Sequence, residues 1–176
     1  MSITPEKAVE ILEKSGCLPN IMEHSLLVAE VTKAICDNLK DKSQISTDLA
    51  VCGAILHDVT KTQSLQTGEH HDISGGIYMR ELGEEKIASI IESHVALKEF
   101  SIEAPLNEEE IVHYADKRVK HSEIVTIDER IEDLIIRYGH TPERKKDIAS
   151  RIHFLKDLEN KIQSRMTTSI DSVIPK

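Results

Sequence analysis

Residues 20–40 read NIMEHSLLVAEVTKAICDNLK, and their spacing decides the fold class. His24 falls in register with Leu27, Val28, Val31 and Ile35, the i, i+3, i+4, i+7, i+11 stripe of an amphipathic helix. The same periodicity runs through most of the chain, and strand-like alternation is scarce. Thr4-Pro5 opens a first helix to about Ser15, and the long helix follows from Pro19 or Asn20 to about Lys40. Ser46 or Thr47 caps a third helix to about His57. Asp72 caps a fourth to about Gly83, and a fifth runs from about Glu84 to Val95. Asn107-Glu108-Glu109-Glu110 opens a sixth through about Lys120. Asp128 caps a seventh ending near Gly139, and Thr141-Pro142 begins the last, to about Arg165. The expectation is an all-α bundle of six to eight helices in one domain, residues 1–165, with a core over 20–121, C-terminal helices over 128–165, and a loose tail over 166–176.

Composition narrows the function. The chain has 176 residues, 39% hydrophobic and 30% charged, a length and balance that support one buried core. Aromatics are 3% and the net charge is −9, so neither base-stacking platforms nor a basic footprint for a nucleic-acid duplex is present. No apolar run is long enough to span a membrane, and the first residues lack a signal-peptide apolar region. Three cysteines without zinc-type spacing suit a reducing cytoplasm.

The helix reading turns ionisable residues inward. His24 lies on the core stripe of the second helix. His57 follows Ala50, Gly53 and Ala54 on one face, and Asp58 follows Val51, Ala54 and Ile55 on the next. His94 follows Ile87, Ile90 and Ile91, and Asp116 is flanked by Val112 and Val119. Such groups are costly inside unless paired or bound to metal. Each alone fits a hydrogen-bonded core histidine or a helix-end carboxylate. Asp116, for example, has Lys117, Arg118 and Lys120 as neighbours to pair with. Five together on four helices share one explanation, a metal site of His and carboxylate ligands suited to Fe, Mn, Zn, Co or Ni.

At this point a resemblance enters. His24, the run Ala54-Ile55-Leu56-His57-Asp58-Val59-Thr60-Lys61 and the segment Tyr114-Ala115-Asp116-Lys117 resemble, in order, the motifs of the HD superfamily of metal-dependent phosphohydrolases. The likeness covers about Asn20 to Gly139. His71, with Gly75 four residues on, and His94 extend it to the dinuclear subgroup; the adjacent His70 is the alternative to His71. The resemblance implies that His24, His57, Asp58 and Asp116 hold one ion, and that Asp58 bridges to a second held by His71 and His94. It implies two divalent ions, Fe or Mn foremost, with Zn, Co, Ni or Mg as alternatives. The expected reaction is hydrolysis of a phosphoester or phosphoanhydride of a nucleotide or similar small phosphorylated metabolite by a metal-activated hydroxide. Asp58 and Lys61 are the expected catalytic residues, and Lys61, Arg118 and Lys120 the expected phosphate binders. Arg130 reads as a structural partner for a carboxylate. The chain departs from the family pattern at Val95, where a further histidine is expected, and lacks GYP after the HD pair and Pro-Gly-Arg after Asp116. Two other readings of the ligand set are a diiron oxygenase and a non-catalytic nucleotide-binding module. A homodimer is left open.

Overall fold

A computed structural model describes residues 3–175. Local capping signals set the first helices. The Thr4 side chain accepts from the Lys7 amide and begins α1 (Pro5–Lys14). Pro19 at the first position starts α2 (Pro19–Asp37). Ser46 accepts from the Leu49 amide and begins α3 (Thr47–Leu56), whose residues from Ala50 onward are all buried. A short α4 (Lys61–Thr67) leads to α5 (His71–Glu81), α6 (Glu85–Ser93) and α7 (Glu108–Lys117), the last capped by Asn107. A two-stranded antiparallel hairpin, β1 (Val119–Lys120) and β2 (Glu123–Ile124), precedes α8 (Ile127–Tyr138), α9 (Pro142–Ser164) and α10 (Ile170–Val173).

The core helix is α3. It packs against α1, α2, α6 and α7, while α5 lies along α6, and α8 along α9. Two glycines set close approaches. A Cβ on Gly53 would meet Ile90 Cγ2 at 2.7 Å, and one on Gly75 would meet Ile91 Cγ2 at 2.9 Å. Any larger residue would push α3 or α5 off α6, and with them the histidines at their ends. Ile90 and Ile91 of α6 are fully buried at these contacts, each worth about 1.5–3 kcal/mol of apolar transfer. The side chain of Lys161 in α9 is fully buried, and its Nζ donates to Glu110 Oε1 of α7 at 2.7 Å and to the carbonyl of Ser101 at 2.8 Å.

The all-α expectation holds; the hairpin is the one sheet among the described residues. The expected elements differ in five places. Helix α4 lies where none was expected. Helix α5 begins at His71, with His70 rather than Asp72 in the cap position. Helix α7 stops at Lys117, and the hairpin takes up the residues expected to continue it. Thr126 rather than Asp128 caps α8, in a reciprocal box with Glu129. The tail expected to be loose is packed: Met166, Ile170 and Ile174 are buried. Its start is stitched to the end of α2 by Lys40 N donating to Arg165 O at 2.8 Å and Thr167 N donating to Asn38 O at 2.9 Å. No described helix is long and apolar enough to cross a membrane.

Candidate metal centre

Five helices bring side chains to one spot. His24 comes from α2, His57 and Asp58 from the end of α3, His71 from the start of α5, His94 from the end of α6, and Asp116 from α7. Four imidazoles form a row, with ring centroids 5.3 Å apart for His24–His57, 5.0 Å for His57–His94 and 5.1 Å for His94–His71. Two groups of three donor residues, His24–His57–Asp58 and Asp58–His71–His94, each keep their donor atoms within 4.8 Å of one another. Asp58 belongs to both. Asp116 Oδ1 lies 3.0 Å from His24 Nε2 and 3.7 Å from His57 Nε2. The structure therefore brings His71, not His70, to the cluster. His71 Nε2 is 3.2 Å from Asp58 Oδ1, whereas the His70 side chain is 83% exposed.

Backbone carbonyls fix which ring nitrogens carry hydrogen. Nδ1 of His24 faces the carbonyl of His121 at 3.0 Å, Nδ1 of His57 that of Ala54 at 2.7 Å, and Nδ1 of His94 that of Ile91 at 2.5 Å. A carbonyl only accepts, so each Nδ1 is the donor. In a neutral ring each Nε2 is then a bare lone pair, and these are the nitrogens turned toward Asp58 and Asp116. His57 Nε2 and Asp58 Oδ1 are buried with no hydrogen-bond partner among the described residues. Acceptors facing acceptors in a dry site cost about 1–3 kcal/mol each when left unsatisfied. Positive charge between them removes that cost. Burial pushes the imidazole of His57 down, yet the carboxylates of Asp58 and Asp116 outweigh it and hold it above the ordinary histidine value. Burial likewise raises the Asp58 carboxyl, but His57, His71 and His94 hold it well below the usual carboxylate range. Asp116 is treated alike by Lys117 and His24. A divalent cation supplies the same positive charge without a proton, and imidazole with carboxylate is a donor set for borderline divalent metals. The residues present fit such an ion.

Neighbouring polar groups hold these donors. Lys117 Nζ donates to Asp116 Oδ2 at 2.5 Å and to the His94 carbonyl at 3.1 Å, tying the ends of α6 and α7. Thr60 Oγ1 donates to the His71 carbonyl at 2.9 Å. Lys61 Nζ donates to Asp58 Oδ2 at 2.6 Å. It sits at the edge of a cleft of about 250 Å³ whose floor includes His24 and Asp58. Helix α8 lines the same cleft, with Arg130, Arg137 and Tyr138. His121 also lines the cleft and takes a left-handed φ of 56°.

The other expected phosphate binders lie elsewhere. Arg118 is 3% exposed and donates to Val125 O, Tyr114 Oη and Asp171 Oδ1, so its guanidinium braces the hairpin and α10. Lys120 Nζ is 3.6 Å from Asp133 Oδ1. Arg130 does meet a carboxylate, with Nη1 3.4 Å from Asp133 Oδ2, but it also faces the cleft. Sequence reasoning passed over Arg137. Its signal was the i, i+7 spacing from Arg130 on one helix face.

An all-α bundle whose helix ends gather histidines and aspartates around an HD pair defines a class, the HD domain. The HD domain matches residues 21–119, more than half of the chain, and the chain belongs to that family, one of metal-dependent hydrolases. Among curated proteins, the chain is similar to a tRNA (cytidine(56)-2'-O)-methyltransferase of Thermoplasma volcanium, at 30% identity over 145 residues. That match covers 71% of this chain and 41% of the relative, so the chain spans about two fifths of that protein's length. No solved structure matches the chain.

Proposed function

We propose that this protein is a cytoplasmic metal-dependent phosphohydrolase acting on a nucleotide or similar small phosphorylated metabolite. One observation carries the reading: His24, His57, Asp58, His71, His94 and Asp116 gather their donor atoms in one cluster, and His24 and Asp58 of that cluster line a cleft that also carries Lys61, Arg130 and Arg137. A net charge of −9 overall makes that local cation excess a specific feature rather than a general one. His24, His57, Asp58 and Asp116 would hold one ion, and His71 and His94, sharing Asp58, a second. Bound divalent metal lowers the pKa of a coordinated water toward about 7 and neutralises phosphoryl charge. Lys61 has the reach to share its ammonium between Asp58 and a substrate phosphate. The Nδ1–H bonds to Ala54, Ile91 and His121 keep the rings from turning as charge arrives. The activity printed for the Thermoplasma volcanium relative, methyl transfer to a tRNA, is not carried over, because two fifths of that protein is matched.

The test is elemental analysis of protein purified without chelator, followed by phosphate release from nucleotide and dinucleotide phosphates, with Asp58→Asn alongside. Bound Fe or Mn with phosphate release lost in the variant is the expected result. Tight nucleotide binding without turnover would favour a binding module, and oxygen consumption by a diiron form would favour an oxygenase.

A further inference from the structure

The α8 wall carries more positive charge than one phosphoryl group at the cleft floor needs. Arg130, Leu134, Arg137 and Tyr138 form the i, i+4, i+7, i+8 face of α8 that lines the same cleft as Lys61. Asp133 is the carboxylate that this group shares. It takes a single 3.4 Å contact from Arg130, the Nε and Nη2 of Arg137, and Lys120 at 3.6 Å. Three cations thus lean on one anion. Arg130 Nε is buried with no partner among the described residues. Arg130 is held at one nitrogen and Arg137 at two, which leaves part of each donor fork for a planar or tetrahedral anion. Lys61 belongs to α4 and is tied to Asp58, whereas the arginines line the same cleft from a different helix, α8.

We infer that Arg130 and Arg137 form a second phosphate subsite, and that the substrate is a phosphoanhydride whose terminal phosphoryl sits at the His/Asp floor while the next one lies on α8. The inference rests on the phosphohydrolase reading and narrows it. In the reaction, the oxygen of water bonds to the terminal phosphorus and the bond from that phosphorus to the bridging oxygen breaks. The electron pair stays on the bridging oxygen, which leaves with the phosphate held by the arginines, and the protons of water pass to solvent or to the released phosphates. No oxidant or further reactant is required.

Calorimetric titration of the protein as purified tests the subsite without turnover. The probes are methylenediphosphonate, whose P–C–P link resists hydrolysis, and inorganic phosphate. Wild-type protein should bind the diphosphonate more tightly. In Arg130→Gln and in Arg137→Gln the ratio of diphosphonate to phosphate affinity should fall about tenfold, the loss of one charged hydrogen-bonding partner. Chelation of metal by the probe is common to all three proteins and cancels in the ratio. Arg130 is largely buried and its loss could loosen α8; Arg137, with a third of its side chain exposed, repeats the test at a more forgiving position. An unchanged ratio in Arg137→Gln with a native melting curve, or no diphosphonate preference in the wild type, would overturn the subsite. If simple phosphomonoesters are still hydrolysed in that case, the phosphohydrolase reading survives alone. An arginine-dependent preference with no hydrolysis of any phosphate would leave the subsite standing and remove the hydrolase.

Discussion

The ring of His24 is held by the backbone of His121, 97 residues further along the chain, through an Nδ1–H bond of 3.0 Å. His121 reaches that position at a φ of 56°, at the first of the two residues that turn the β1–β2 hairpin. A non-glycine residue there carries a cost of about 1–2 kcal/mol. His121→Gly should keep the carbonyl in place, hold the metal content and leave the melting temperature equal or higher. His121→Val, β-branched and ill-suited to the left-handed region, should destabilise by about 1–3 kcal/mol and weaken metal retention. Thermal melts with elemental analysis of both variants check this. Equal behaviour of the glycine and valine forms would remove the link between the turn and His24.

His71 and His94 stand at the far end of the imidazole row from His24. Replacing either by alanine should lower bound metal from two ions to one while the helical signal stays unchanged. His94 should be the more damaging, since it is 3% exposed against 25% for the side chain of His71. Two ions retained in both variants would end the dinuclear assignment.

Lys161 and Glu110 form a buried pair that anchors α9 on α7. Lys161→Ala should cost about 3–5 kcal/mol, because it strands the Glu110 carboxylate away from water. The double variant Lys161→Met with Glu110→Leu should recover most of that loss. Chemical denaturation of the single and double variants measures both terms.

His113 provides a pH signature outside the ligand set. Its Nδ1 donates to the Ser93 carbonyl at 3.2 Å and its ring packs edge-on to Phe154. Burial, helped by the charge of Lys117 and opposed by Asp116, pushes the imidazole down to about 3. Arg151 and His94 are the other ionisable groups facing it. The unfolded chain takes a proton near the ordinary value of about 6.5 and the folded one does not. The folded form therefore has its full advantage above about pH 6.5 and loses up to about 1.4 kcal/mol per pH unit as pH falls toward 3. His113→Gln should flatten that slope relative to wild type in urea titrations at pH 7, 5.5 and 4.5. Parallel stability curves would contradict it.

Where the chain's apolar stripes are regular, its structure is legible in advance. His24, His57, His94 and Asp116 stand in such stripes, and their inward direction follows from spacing alone. The missed helix α4 has no buried residue, so no periodic signal marks Lys61–Thr67. The hairpin at 119–124 turns on His121-Ser122 rather than on Asn-Gly, and only tertiary support makes that turn affordable. Met166, Ile170 and Ile174 are spaced four apart within a polar run; their burial depends on helices far off in sequence. Arg130 was read correctly as a carboxylate's partner, but its place in the cleft depends on how α8 docks. Capping of α8 was legible, since Thr126 with Glu129 three residues on is a capping box that outcompetes Asp128.

The seam between residues 38–40 and 165–167 has a temporal meaning. Thr167 bonds to Asn38 across 129 residues of sequence. On a ribosome, the end of α2 is made early and must wait for its neighbour until nearly all the described chain has emerged. Until then Leu39 lacks its bridge to Met166. Closing this seam is therefore among the last steps open to a newly made chain.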